Sequence, residues 1–140
     1  MTKFSDAFTP SEVAQKVKTL GVSKANIPFL PLLILSMMAG AFISFGAMYY
    51  TVAMTDAAEA YGAAKLLGGL AFSLGFMLVV IVGGELFTGN NLIVLAWAKG
   101  KVSTIQIVKN WSLVYLGNAL GCFIMVYLVF SSGFLDGAHH

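Results

Sequence analysis

Gly83-Gly84-Glu85-Leu86-Phe87-Thr88-Gly89-Asn90-Asn91 is the stretch on which the reading of this chain turns. It interrupts an otherwise apolar segment running from Leu66 to Ala98, 33 residues in all. As one straight helix that segment would be about 50 Å long, against a bilayer hydrocarbon core of about 30 Å. It must break or fold back. Backbone that leaves helical pairing at membrane depth strands N–H and C=O groups, and this is tolerated only where protein or a water-filled cavity receives them. The break is therefore a candidate solute site.

Working outward, the composition fixes the class. Of 140 residues, 59% are hydrophobic and 10% charged, and the mean hydropathy is +0.86. This is the balance of an integral membrane protein. Charge-free runs extend over Ala25 to Thr55, Leu66 to Gly84, Leu86 to Ala98 and Asn110 to Leu135. Three of these are long enough to span; Leu86 to Ala98, with 13 residues, reads as half a helix. No cleavable signal sequence is evident, and the first span is expected to serve as its own insertion signal. The single cysteine, Cys122, lies in an apolar run as a lipid-facing or packed thiol, and permits neither an intrachain disulfide nor a thiol metal site. The only histidines, His139 and His140, stand at the very end of the sequence, outside any catalytic or metal-ligand spacing. No enzyme, metal or cofactor is expected. A formal charge of +2, dispersed along the chain, excludes a nucleic-acid partner.

All eight basic residues are lysines, and they orient the chain. Lys3, Lys16, Lys18 and Lys24 precede the first span; Lys99, Lys101 and Lys109 lie between the second and third. By the positive-inside rule both segments are cytoplasmic, and the loop with Asp56 and Glu59 is external. An even number of crossings must separate the two lysine groups, so Leu66 to Ala98 counts as one crossing, broken but traversing. Trp97 and Trp111 mark the inner interface, and Tyr49, Tyr50, Tyr61 and Tyr127 the outer. The organisation expected is a cytoplasmic amphipathic helix within residues 1–25 and a three-span unit over 26–140. Its spans lie at about 27–54, 66–98 (broken near 84–90) and 104–135.

In the N-terminal segment, Thr9-Pro10-Ser11-Glu12 fits a capping box with proline at the first helical position. Phe8 and Val13 suit a hydrophobic staple, and Gly21 a helix end. Val13, Val17 and Leu20 share one face, which suits anchoring on the interface, the core or a neighbouring subunit, with gating as the other reading. Ser103 to Gln106 gives a second capping box, at the third span. Ser36, Gly40 and Ser44 repeat every four residues in the first span, and Gly117 and Gly121 form a GxxxG match in the third. Such spacing lets helix backbones approach closely in lipid, without saying which partner is approached.

At the break, a half-helix starting near Thr88 or Gly89 points unpaired N–H groups and the positive end of its dipole toward the midplane, which favours anions. Thr88 adds a hydroxyl, and Asn90 and Asn91 add amide donors. Glu85 would repel an anion, and an ionised carboxylate at that depth costs about 2.5 to 3.5 kcal/mol. It reads as loop scaffold, bonded to freed amides or paired with a lysine from the N-terminal segment or another helix; a proton relay is the other reading. Phe72 and Phe76, at i and i+4, together with Phe87 suit either packing or a dry constriction. Asn118 suits an interhelical hydrogen bond or a pore contact.

Phe72-Ser73-Leu74-Gly75, Gly84-Glu85-Leu86-Phe87-Thr88-Gly89-Asn90-Asn91, Lys109-Asn110-Trp111 and Tyr115-Leu116-Gly117-Asn118 together resemble the formate/nitrite transporter family, over essentially the whole chain from the N-terminal helix onward. The resemblance implies an all-α integral membrane fold: a three-span repeat with a broken second helix, half of an aquaporin-like six-span inverted-repeat protomer, assembled as a pentamer. It implies that Leu86, Phe87 and Thr88 form the loop at the pore, with Thr88 as the polar contact. Phe72 and Phe76 line a constriction facing the cytoplasm, and Glu85, Gly89, Asn90 and Asn91 support the loop. The cargo implied is a small monovalent anion, formate first, then nitrite or hydrosulfide, moved with proton participation across a bacterial-type inner membrane.

The sequence departs from the family pattern in length, with one three-span repeat where members have two. The pore histidine of the second broken helix and the anion-attracting lysine near the middle of members are absent, and neither His139 nor His140 matches that histidine. A second three-span half is therefore an expected partner, as in a split, cleaved or shortened protein, with a homo-oligomer of halves as the other arrangement. A reading from a different class is a membrane module that transports nothing and assembles through its GxxxG and serine-glycine faces.

Overall fold

The computed structural model describes residues 7–136, so Lys3, His139 and His140 lie outside the described residues. Within them the chain is helical: α1 (Pro10–Ala25), α2 (Phe29–Met54), α3 (Tyr61–Val82), α4 (Phe87–Asn90), α5 (Ile93–Ala98) and α6 (Thr104–Ser131). Three of these, α2, α3 and α6, are long and apolar enough to cross a membrane, with window hydropathies of 2.0, 2.2 and 2.1. Only 28% of that window in α2, and 17% in α3 and in α6, is buried inside the chain. The remaining apolar surface requires lipid or further protein against it. Ile81 is 80% exposed and Ile105 77%, two points on that apolar surface.

Helix bounds differ from the charge-free runs in instructive places. Helix α3 begins at Tyr61, ahead of Lys65, because the Lys65 ammonium lies 2.7 Å from the Tyr50 hydroxyl and over the Tyr50 and Tyr61 rings. Helix α1 runs through Gly21 to Ala25, so Gly21 does not end it. That glycine is buried, and a Cβ there would stand 3.1 Å from Ala96 Cβ and 3.3 Å from Ile93 Cα, so its smallness seats α1 on α5. Around this contact Ile93, Ala96, Val102 and Ile107 form a core, with Val22, Ala25 and Trp111 against it. The face of Val13 and Leu20 stays exposed instead, and Phe8 takes the Lys16 ammonium over its ring at 3.4 Å.

Both capping boxes form, Thr9 with Glu12 and Ser103 with Gln106. The Thr9 backbone N–H, and then its hydroxyl, donate to Glu12 and hold that carboxyl below the ordinary carboxylate range. This support for the start of α1 is present at neutral pH and is lost as pH falls through the lowered value.

The close approaches expected of the small residues occur within the chain. Gly46 on α2 and Gly75 on α3 face each other: a Cβ on Gly46 would stand 2.6 Å from the Phe72 carbonyl oxygen, and one on Gly75 2.5 Å from that of Phe42. Across the other side of α2, Gly117 and Gly121 of α6 press on Ser36 and Met37, and Gly40 presses on the backbone of Asn118. Small residues bring three backbones into direct contact where larger side chains would hold them apart.

Helix α3 stops on a glycine signal. Gly83 takes φ +71°, and the next N–H, of Gly84, donates 2.8 Å back to the Val79 carbonyl, closing the last turn. Nothing lies within 4 Å of a Cβ on Gly83, so Gly83→Ala isolates the backbone effect. We expect a loss of about 1 to 2 kcal/mol, read as a lowered thermal midpoint in detergent; an unchanged midpoint would mean the turn relaxes.

Candidate functional site

From Gly83 to Leu86 the chain leaves helical geometry, and side chains from three other helices hold it there. The Glu85 N–H donates 3.3 Å to the Leu35 carbonyl of α2, and Leu86, with φ −99° and ψ 140°, is extended. A Cβ on Gly84 would come within 3.1 Å of Ala39 Cβ, so the loop lies directly on α2. From α6, Asn118 accepts the Phe87 N–H (3.0 Å) on Oδ1, while its Nδ2 donates to the Glu85 carbonyl (2.9 Å) and the Ser36 carbonyl (2.7 Å). Asn118 thus makes interhelical hydrogen bonds.

Below the loop lies a polar cluster. Glu85 is buried and its Oε1 accepts from Lys24 Nζ at 2.6 Å. Lys24 also donates to Asn90 Oδ1 (3.3 Å), Asn90 Nδ2 donates to Asn110 Oδ1 (2.9 Å), and Asn110 Nδ2 returns to the Lys24 carbonyl (3.0 Å). Trp111 Nε1 donates to the Asn90 carbonyl at 2.9 Å. The second Glu85 oxygen, Oε2, is buried and has no partner among the described residues. The N-terminal helix, the break and α6 are thereby joined through one carboxylate, one ammonium and two amides.

The residues expected at the pore are distributed unequally. Thr88 and Gly89 are exposed, and among the described residues no group takes the Thr88 hydroxyl. Leu86 and Phe87 are half-buried; the Phe87 ring meets those of Trp111 and Tyr115 edge-on, with centroids 6.1 and 5.6 Å away. Phe72 and Phe76 are exposed on α3, at 38% and 54%. Asn90 is fully buried in the cluster, whereas Asn91 is exposed and ends α4. Of the amides read as donors to a solute, Asn90 is committed to the protein.

The half-helix after the break is irregular: α4 has 4 residues and α5 has 6, joined through Asn91 and Leu92, which keep right-handed helical dihedrals while the N–H groups of Leu92, Val94 and Leu95 pair three residues back. The Phe87 N–H is also taken by Asn118, which leaves those of Thr88 and Gly89 without an acceptor among the described residues.

Lys24, Asn110 and Trp111 escaped sequence reasoning as site residues. Lys24 is covered only as one of the N-terminal lysines that could pair with Glu85, and Trp111 serves as an interface marker and part of a motif. Their signal was the Asn-Trp pair among the motifs; nothing local paired Lys24 with Glu85.

The family model described as "Formate/nitrite transporter" matches residues 11–140. This chain belongs to the formate/nitrite transporter family. It is 40% identical to the formate channel FocA of Escherichia coli (strain K12) over 129 residues, 91% of this chain and 45% of that protein. It is 35% identical to the formate channel BtFdhC of Bacillus thuringiensis over 84% of this chain and 46% of that protein. A solved structure described as a pentameric formate channel with formate bound aligns with a TM-score of 0.67 at 41% identity, over 89% of this chain and 43% of that one. The chain thus spans about half the length of the curated relatives it matches. The all-helical fold expected from the sequence, that of a membrane protein with three span-capable helices, is the one found.

Proposed function

We propose that this chain forms one half of a channel-type transporter for small monovalent anions, formate first and nitrite or hydrosulfide next. The observation that carries the reading is the Thr88 hydroxyl, exposed and without a partner among the described residues, at a break whose Glu85 carbonyl, Phe87 N–H and Asn90 side chain are engaged by the protein. A loop so firmly held, with one hydroxyl left outward, suits repeated contact with a passing solute. Leu86, Phe87 and Thr88 contribute to the pore wall, Phe72 and Phe76 to a constriction, and Glu85, Gly89, Asn90 and Asn91 to the scaffold.

A complementary three-span half covers the exposed faces of α3 and α6, and the protomers assemble as a pentamer. The lysine distribution supports a cytoplasmic N-terminus in a bacterial-type inner membrane, with residues 1–25 as a cytoplasmic element. The reading as a non-transporting assembly module gains no support, because the GxxxG and serine-glycine faces that suggested it are spent within the chain, between α2 and α6.

The test is flux of radiolabelled formate into liposomes holding this chain together with its complementary half. Absence of flux above empty vesicles for formate, nitrite and hydrosulfide alike would end the transport reading. Within it, Thr88→Val keeps the shape and removes the hydroxyl. Losing a hydrogen bond to an anion costs about 1.5 to 3 kcal/mol, so flux is expected to fall about tenfold or more with assembly intact. Undiminished flux would take Thr88 out of the path.

A further inference from the structure

We propose that Asn118 is a positioning residue that sets the conformation of the break, acting through the backbones of Phe87 and Glu85 and without touching the anion. Its carboxamide is the only group type of its size that offers one acceptor and two donors at once, and here all three are used. Oδ1 takes the Phe87 N–H, and the two Nδ2 hydrogens go to the carbonyls of Glu85 and Ser36. The amide orientation is fixed by this chemistry, since exchanging the two atoms would set an N–H against an N–H and oxygen against two carbonyl oxygens.

Two of the three bonds bracket Leu86. Groups on either side of it, the Glu85 carbonyl and the Phe87 N–H, are freed when the chain leaves α3, and Asn118 satisfies both in a place where water would otherwise have to. The third bond ties the same side chain to α2, so the break takes its position from two helices at once. Reach is supplied by Gly40, where a Cβ would stand 2.9 Å from the Asn118 carbonyl carbon and 3.0 Å from its Cα. With any larger residue at 40, α6 would retreat and the carboxamide would lose the Ser36 carbonyl. Thr88, the next residue after the clamp, inherits its place from it.

The inference rests on the reading of Leu86-Phe87-Thr88 as the anion path, but its first measurement needs no transported solute. Amide hydrogen exchange of peptides covering the break is compared among the wild type, Asn118→Leu and Asn118→Asp, in the assembled protein. Leucine matches the shape and removes all three bonds; exchange in the break should rise at least about tenfold, the equivalent of 1.4 kcal/mol, while α2 and the remainder of α6 stay protected.

Aspartate supplies a pH signature. It keeps the acceptor for Phe87, but when ionised it faces two carbonyl oxygens without a donor, and when protonated it regains one. Protonation therefore restores a donor to one of those carbonyls, which no pH change does for the wild-type amide. Other titratable groups near position 118 are Glu85, turned to Lys24, and Tyr115 and Cys122 on α6 itself; α2 brings no charged residue. These are common to wild type and variant, so the ratio of the two isolates position 118.

Expected for Asn118→Asp is fast exchange at the break at neutral pH that returns toward wild type as lowered pH protonates the carboxylate, with the formate flux ratio recovering over the same interval. A packing role alone predicts ratios that do not change with pH. Break exchange unmoved by leucine, or an aspartate variant whose exchange ratio is flat across that interval, would overturn the proposal. If Asn118→Leu does not assemble, the aspartate titration decides within one folded variant. If the wild type carries no formate, the transport reading falls while the exchange result still decides this one.

Discussion

Gly121→Leu is expected to prevent α6 from seating on α2 and to cost at least about 3 kcal/mol of stability, the upper range for forcing volume into a packed core. A Cβ at 121 already stands 2.9 Å from the Met37 carbonyl carbon and 3.1 Å from the Ala41 nitrogen. Both are backbone atoms of a helix and cannot rotate away. Leucine adds three more carbons in the same direction, so the helices must separate, and the Asn118 bond to Ser36, one turn away, goes with them. Gly62→Leu is the control, because nothing lies within 4 Å of a Cβ there. Thermal unfolding in detergent should show a large fall for position 121 and little change for position 62. Equal falls would mean that the loss does not come from contact with α2, since replacing glycine by leucine raises helix propensity at both positions.

The same seam shows what the sequence made legible. Gly117 and Gly121 announced a close helix approach, but a spacing rule has no address on it, and only the fold supplies Ser36, Met37 and Gly40 as the partner surface. The break was legible because its causes are local: a segment too long for the bilayer, and two adjacent glycines of which the first takes a positive φ. The irregularity between α4 and α5 was not, because its cause is remote. Trp111 donates to the Asn90 carbonyl, which would otherwise accept the Val94 N–H; that N–H turns to the Asn91 carbonyl at 3.1 Å, and the helix tightens there. Likewise Gly21 carries a helix-end signal in any local window, and is overruled by Ala96 and Ile93 from a helix more than 60 residues on. Glu85 stood out as a charge at depth, and a lysine of the N-terminal segment was among its expected partners, but which one, 61 residues away, only the fold supplies.

That pair carries the other large effect. Glu85→Ala removes the acceptor from Lys24 and leaves the ammonium with only the 3.3 Å contact to Asn90 Oδ1. Breaking a buried pair from one side costs about 3 to 5 kcal/mol; the Lys24 side chain is 26% exposed, so the loss belongs near the lower figure. Lys24→Met is expected to be worse, since the stranded group is then a carboxylate only 7% exposed whose second oxygen has no partner already. Glu85→Gln keeps the shape and an oxygen for Lys24, so it should cost about 1 kcal/mol and retain much of the transport. Lys24→Met combined with Glu85→Gln removes both charges and should cost clearly less than the two single losses added, because neither ion is left uncompensated. Thermal midpoints of the four variants test this order. Flux separates scaffold from chemistry: a scaffold carboxylate predicts that transport follows stability, with glutamine far above alanine. Equal loss of transport in Glu85→Gln and Glu85→Ala, with both normally assembled, would instead make the ionisable proton itself part of the transport step, and the buried, unpartnered Oε2 would be the atom that holds it.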